Sequence, residues 1–570
     1  MLMTSETRIR TGGQILVDQL LNHGADTGFC VPGESYLEVL DALYDVRDRF
    51  RLINARHEAG AANMAEAHGK LTGRPGIAMV TRGPGACHAA IGVHIAQQDS
   101  TPMILLVGQI ARGTTDREAF QEIDYRAMFG PIAKWVTQIE DPTRIPEYMA
   151  RAFRVATSGR PGPVVIALPE DMLTERARVA DAPAYAPTRA ALSPQGRTNI
   201  GEALKQAERP LILVGGSGWD DAACAGITRF AERNGIPVTC SFRRQDIVSN
   251  RSPVYAGDFG TSTGPALIAR LREADLLLVI GARLGEMTTK TYEAITPPDP
   301  GLRLVHLHPD PDEIGRVYSP EIGLACAPAE AAAALADLNL GRTDDWAGWT
   351  EGLRAEYLSD TTPPETAAWK LDMDVAVGEL RTRLPEDAIV TLDAGNHTGW
   401  AQRYLRFGRP GRELGSTCGA MGYSVPVAVA ASLGHPGRCV VAFVGDGGFQ
   451  MSGAELATAA HYGATPIIIL VNNGTYGTIR MHQEREHPER VSGTDLSATD
   501  FCRVAEGLGA HAEQVTRTED FGPAFERARA SGRAALIELI TEPEQISTRT
   551  TITKLRESAR LRQSVEGGCS

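Results

Sequence analysis

The stretch with the most chemistry in it runs from Cys439 to Asn473, CVVAFVGDGGFQMSGAELATAAHYGATPIIILVNN. It reads as strand, turn, helix, strand. Gly445-Asp446-Gly447 follows the first strand, and Asn472-Asn473 closes the second. One short helix fills the gap, which brings the acid and the amide pair side by side at the carboxyl edge of a parallel sheet. Ligands bind at that edge in open α/β folds. An acid and an amide oxygen beside glycines make a hard-oxygen cage suited to Mg²⁺ carrying a diphosphate. Ser452 and Glu455 have the S-x-x-E spacing of a capping box, which predicts a helix start there. Val440 to Val444 and Ile467 to Val471 are apolar throughout, as strands buried on both faces should be.

The elements that hold this stretch in place extend over 570 residues, too many for one core, so two to four domains are expected. A net charge of −13 argues against a nucleic-acid footprint. No apolar run reaches the length of a membrane span. The N-terminus, MLMTSETRIRTGG, lacks the apolar core of a signal peptide. The nine cysteines are scattered without a C-x-x-C pair, as expected of reduced thiols. These features together predict a cytoplasmic protein with no membrane or nucleic-acid partner.

From the N-terminus, a helical pattern with Ile15, Leu16, Leu20 and Leu21 leads to the strand TGFCV and a turn at Pro32-Gly33. RLINAR (51–56) is a strand, and His57-Glu58 opens the helix AGAANMAEAHGKLTG. Gly76 to Val80 is a strand that runs into Gly83-Pro84-Gly85, a small-residue helix and the strand Met103 to Gly108. Such alternation predicts α/β, doubly wound parallel sheets. The stretch 76–109 echoes the opening one, with Thr101-Pro102 in the place of Thr465-Pro466, so two copies of one α/β domain are expected. A third α/β unit lies between them. Its Gly215-Gly216-Ser217-Gly218 follows a strand and is either a phosphate turn or a structural one. APAYAPTRAALSP (182–194) and the polar stretch 341–370 read as linkers. The expected domains are therefore 1–181, 195–340 and 371–545. The tail 546–570 is expected to be a surface helix, lying either over the active site or against another subunit.

With Gly-Asp-Gly, Asn-Asn, GAMGYSVP (419–426) and RHEAGAANMAEAHGKLTG (56–73) in hand, the chain resembles the thiamine diphosphate-dependent enzymes of the acetolactate synthase type. The resemblance spans nearly the whole chain. It implies a pyrimidine-binding domain, a central domain and a diphosphate-binding domain. It makes Asp446, Asn473 and the Thr475 carbonyl Mg²⁺ ligands. Gly445, Gly447, Gly448 and Tyr476 would line the diphosphate end. Gly419 and Met421 would hold the aminopyrimidine, with the Met421 side chain under the bent cofactor. Glu58 would hydrogen-bond the far ring nitrogen and favour the imino tautomer. The ring's exocyclic nitrogen then acts as the base, while the protein supplies electrostatics and geometry. Without the diphosphate motif, Glu58 would read as no more than a favourable helix N-terminal acid. In this family the two motifs come from different subunits, which implies a homodimer or homotetramer.

The substrate side departs from the family pattern. The resemblance implies a 2-oxo acid substrate. Phe120 and Gln121, in DREAFQEID (116–124), match positions that face the reacting centre, and Lys134 matches a downstream lysine. Glu34 is an acid where synthases are uncharged, and it is a candidate proton donor of the kind decarboxylases use. His482 stands where synthases carry a tryptophan that selects the acceptor, and with Arg480 it suggests a polar pocket. Carboligation of the acetolactate synthase kind is the leading expectation, with simple decarboxylation as the alternative. The synthases also bind FAD in the central domain. Here SFRRQDIVSN (241–250) and GDFGTSTGP (257–265) occupy that region without a close match to the flavin pattern, so FAD stays an open alternative. A non-catalytic scaffold would be expected to lose Glu58 or the Gly-Asp-Gly and Asn-Asn pair, and both are intact. A nucleotide-dependent dehydrogenase would need G-x-G-x-x-G, which GGSGWDDAA fits poorly.

Overall fold

The computed structural model describes residues 8–341 and 343–567. They form two compact units that divide between Arg189 and Ala190. Each unit is built on parallel sheets whose central strands are apolar at nearly every position, because helices cover both faces.

The first unit holds one six-stranded parallel sheet. Across it the strands run Arg51–Asn54, Thr27–Cys30, Gly76–Val80, Met103–Gln109, Pro163–Pro169 and Trp135–Gln138. Numbered along the chain, that is the order 2-1-3-4-6-5. An antiparallel pair, Ile9–Thr11 with Arg176–Arg178, closes one end.

The second unit holds two six-stranded sheets. The C-terminal one runs Arg412–Gly415, Ile389–Leu392, Val440–Gly445, Ile467–Asn472, Ala535–Ile540 and His511–Val515, all parallel. Its order is again 2-1-3-4-6-5, so the internal echo is a repeat of one topology. The central sheet differs. Its strands Tyr255–Phe259, Val238–Ser241, Pro210–Val214, Leu276–Ile280, Arg303–His308 and Ile322–Ala325 follow the order 3-2-1-4-5-6. Three α/β sheets are what the sequence predicts.

Two local expectations need correction. The polar stretch 341–370 is not simply a linker. It contains the helix Ala347–Asp360, which packs on the central sheet. Trp346 and Trp349 donate their indole N–H groups to the carbonyls of Ala207 and Pro210, at 3.0 and 2.9 Å. Tyr357 meets Tyr255 edge-on with ring centres 5.1 Å apart. The polar residues of this stretch hide a buried aromatic face. Between Gly447 and Asn472 there are also two helices, not one, Asp446–Ser452 and Glu455–Tyr462. Ser452 ends the first of them, and no side chain caps the second, so the capping box does not form. Glu455 is instead buried and accepts the Thr458 hydroxyl at 2.6 Å.

The C-terminal helix Ile552–Gly567 packs on Gly477–Glu486 of its own chain through Arg556 and Glu484. Among the described residues no helix is long and apolar enough to cross a membrane.

Candidate functional site

In a sheet of order 2-1-3, the loops after strands 1 and 3 diverge and leave a crevice at the carboxyl edge. In the C-terminal sheet those loops start at Asp393 and Asp446. Asp446 is 4% exposed. Its Oδ1 accepts the Gly447 N–H at 2.9 Å, and its Oδ2 accepts the Gly474 N–H at 2.8 Å. Burial pushes its carboxyl above the ordinary aspartate value, against backbone N–H groups that favour the charged form. Asn473 Oδ1 accepts the Thr475 N–H at 3.2 Å, and the Thr475 hydroxyl donates to Thr494 O at 2.9 Å. A cavity of about 220 Å³ opens here, and Gly419, Met421, Asp446, Asn473, Thr475 and Tyr476 are among its walls. Glycine at 447 leaves room for the Tyr476 ring. A Cβ there would stand 2.4 Å from the Tyr476 ring and 3.4 Å from the Met421 methyl.

Three residues that the sequence reading passed over complete this half. Asp393 is fully buried and accepts the N–H groups of Ala394, Gly422 and Ser424 at 2.9, 3.0 and 2.9 Å, which fixes the Gly419–Ser424 turn. His397 lines the cavity with a buried Nε2 that has no hydrogen-bond partner. Burial and the nearby Arg243 push its imidazole down to about 3, so the ring is neutral. Arg243, from the central domain, donates to the carbonyls of Ser416 at 2.7 Å and of Asp393. Thus part of SFRRQDIVSN supports the C-terminal loops. Asp393 and His397 had a signal in DAGNH, which directly follows a strand. Arg243 had none, because its partners lie some 150 residues away in sequence.

The helix Gly477–Glu486 turns Thr478 and Ile479 to the cavity. Arg480 is turned instead to Glu484 at 2.9 Å, and His482 is bonded to Arg485. The polar pocket expected from Arg480 and His482 therefore does not form at the cavity wall, because buried Glu484 draws in the helix's own arginine.

In the first unit the corresponding loops carry Glu34 and Thr81 to Gly85. Glu34 is exposed, with Arg82 at 3.8 Å, and Arg82 in turn pairs with Glu170 at 2.8 Å. Arg82 also donates to the Phe120 carbonyl at 3.3 Å. Phe120 is 74% exposed. Gln121 adopts φ +68° and its buried Oε1 has no partner. Gly83 admits it, since a Cβ at Gly83 would stand 2.7 Å from the Gln121 Cβ. Glu58 begins the helix Glu58–Thr72, with His57 as its N-cap and His88 Nδ1 at 2.8 Å from its carboxylate. Lys134 donates to the carbonyls of Val155 and Ser158, as a cation at a helix C-terminus does.

In the central sheet the switch-point crevice lies between the loops after Pro210–Val214 and Leu276–Ile280. A Cβ on Gly216 would stand 2.0 Å from the Gly281 carbonyl, and Trp219 donates to Gly215 O at 2.8 Å. The two loops rest on each other, so these glycines serve close packing there.

For a magnesium diphosphate the C-terminal half does fit. It offers a carboxylate and an amide oxygen as hard donors, a glycine where a backbone must be approached, and an orphaned buried imidazole. The fold and this site define an α/β enzyme built around a diphosphate-bearing cofactor.

Family comparison agrees over most of the chain. Residues 10–128 match the N-terminal TPP binding domain of thiamine pyrophosphate enzymes, 198–335 the central domain and 393–539 the C-terminal TPP binding domain. The chain is 32% identical over 553 residues to the acetolactate synthase large subunit of Corynebacterium glutamicum, covering 93% of this chain and 86% of that one. It is 31% identical over 533 residues to the acetolactate synthase large subunit of Parasynechococcus marenigrum, covering 89% and 84%. It is 29% identical over 552 residues to the probable acetolactate synthase large subunit of Methanocaldococcus jannaschii, covering 94% and 92%. The chain belongs to the thiamine pyrophosphate-dependent enzymes, in their acetolactate synthase-like branch, and its cofactor is thiamine diphosphate.

Proposed function

We propose that the protein decarboxylates a 2-oxo acid and transfers the resulting acyl unit to a second carbonyl, in the manner of an acetolactate synthase. The observation that supports the cofactor half of this reading is the meeting of Asp446, Asn473 and Thr475 with Met421 in one cavity at the switch point. The names of its relatives support the carboligase outcome.

When bound, thiamine diphosphate supplies the electron sink that loss of CO₂ requires. Asp446, Asn473 and the Thr475 carbonyl would hold Mg²⁺, and Gly445, Gly447 and Gly448 would let the backbone come close to the diphosphate. His397 would meet the same anion with its neutral ring. Met421 would support the cofactor from below, beside Gly419 and Tyr476. Glu58 would hold a proton against the aminopyrimidine ring. Gln121, Phe120 and Glu34 would face the substrate. The Glu58 half and the Asp446 half would come from different subunits of a homodimer or homotetramer.

Glu34 favours a second reading, decarboxylation without ligation. It is an exposed acid at the first unit's switch point, where it could hand a proton to the acyl unit. A panel of 2-oxo acids, pyruvate included, with and without a second oxo acid or aldehyde, separates the two. Carboligation requires a product with a new carbon–carbon bond. Aldehyde alone, whatever the acceptor, would favour the second reading, and no CO₂ from any acid would exclude both.

A further inference from the structure

The two oxygens of the Glu58 carboxylate have different surroundings. Oε2 lies 2.8 Å from Nδ1 of His88. Oε1 lies 3.4 Å from where a Cβ on Gly85 would stand, so the glycine adds no side chain on that flank. The Glu58 side chain is 13% exposed and that of His88 49%. His88 sits in the first turns of the helix Pro84–Asp99, which packs along the helix that Glu58 begins. The His57 ring stacks on His88 with centres 4.5 Å apart, while its own Nδ1 accepts the Ala59 N–H. Tyr36, which feels the charge of Glu58, has its hydroxyl committed to the Val31 carbonyl at 2.6 Å. A nearly buried acid thus touches a half-exposed imidazole that is stacked in place.

We propose that His88 is the positioning residue of Glu58 and its route for protons. This rests on the reading of Glu58 as the carboxylate that faces the aminopyrimidine. The Nδ1–H of His88 fixes Oε2 and leaves Oε1 for the cofactor ring. When a proton from solvent reaches Nε2, the Nδ1–H bond breaks as an O–H bond forms on Oε2. The imidazole ends neutral and Glu58 ends protonated, and the reverse steps return the proton. No other reagent is needed.

The test uses the full chain. In cofactor-free protein with ¹⁵N-labelled histidine, the His88 nitrogen shifts, assigned by their loss in His88→Asn, should move in Glu58→Gln. Calorimetry with thiamine diphosphate and Mg²⁺ should give His88→Ala near-normal affinity. Deuterium incorporation at the thiazolium C2 position should fall about 100-fold in that variant and recover with added imidazole. His88→Asn keeps a donor toward Oε2 but cannot pass a proton, so it should stay slow. Full exchange in His88→Asn would overturn the proton route. Full exchange in His88→Ala, or His88 shifts indifferent to Glu58→Gln, would overturn the whole inference. Failure of the wild-type protein to bind thiamine diphosphate would be a separate result, against the reading of the site itself.

Discussion

Asp446 Oδ2 accepts the backbone N–H of Gly474 at 2.8 Å, and so ties the end of one central strand to the loop that follows the next. The two proposed Mg²⁺ ligand segments are held together by the acid that would bind the metal. Asp446→Ala should therefore weaken Mg²⁺-dependent binding of thiamine diphosphate by on the order of 10- to 100-fold. Calorimetry with and without Mg²⁺ checks this, and unchanged affinity would remove Asp446 from the metal site.

Gly447→Ala tests the shape of the cavity. Its Cβ would meet the Tyr476 ring at 2.4 Å. The ring must give way, and it is part of the cavity wall beside Asp446 and Asn473. Affinity should fall at least about tenfold, while the thermal midpoint of the cofactor-free protein stays close to wild type. Binding at full strength would mean that Tyr476 is free to swing clear.

Subunit sharing has a direct test. Glu58→Gln and Asp446→Ala should each be inactive. Mixed under conditions that exchange subunits, they should recover about a quarter of wild-type activity, because half the dimers then carry one intact site. No recovery after demonstrated exchange would place both motifs of one site in the same chain.

Glu413 gives the stability a pH signature. Burial pushes its carboxyl up to about 8, from 4.5 in the unfolded chain. The folded state holds an extra proton between those values, so its contribution is fully present below about pH 4.5 and is lost as pH rises through about 8. Glu413→Gln should raise the thermal midpoint more at pH 9 than at pH 5. Equal effects at both would show that the group is ionised in the folded protein.

Glu484 has the opposite sign. Hydrogen bonding to Arg556 leads the causes that hold its carboxyl down at about 2. Its stabilisation is present above about pH 4.5 and is lost as pH falls toward 2. The C-terminal helix should become sensitive to pepsin over that window in wild type. In Arg556→Ala it should be sensitive to trypsin already at neutral pH. Equal protection in the variant would show that other contacts hold this helix.

What the sequence made legible was local. Gly-Asp-Gly and Asn-Asn stand out because strand and helix periods place them within one short span, and the repeated topology was visible as an echo of that span. Asp393 and His397 were missed because their value depends on strand order, which puts the strand Ile389–Leu392 beside Val440–Gly445. Arg243 was invisible because its contacts join two sheets far apart in the chain. The capping box failed because Ser452 is the last residue of one helix and the N-cap of the next is Ala454, whose methyl cannot accept a hydrogen bond. Arg480 was misread because spacing does not reveal that Glu484, four residues on, is buried and draws it away from the cavity.

The central claim is that Glu58 serves the cofactor's proton chemistry from a site whose grip on the diphosphate lies elsewhere. Deuterium incorporation at C2 of bound thiamine diphosphate, measured in Glu58→Gln alongside calorimetric affinity, tests it most directly. Expected is exchange slowed at least about 100-fold with affinity largely kept. Exchange at the wild-type rate in a variant that binds the cofactor normally would contradict it.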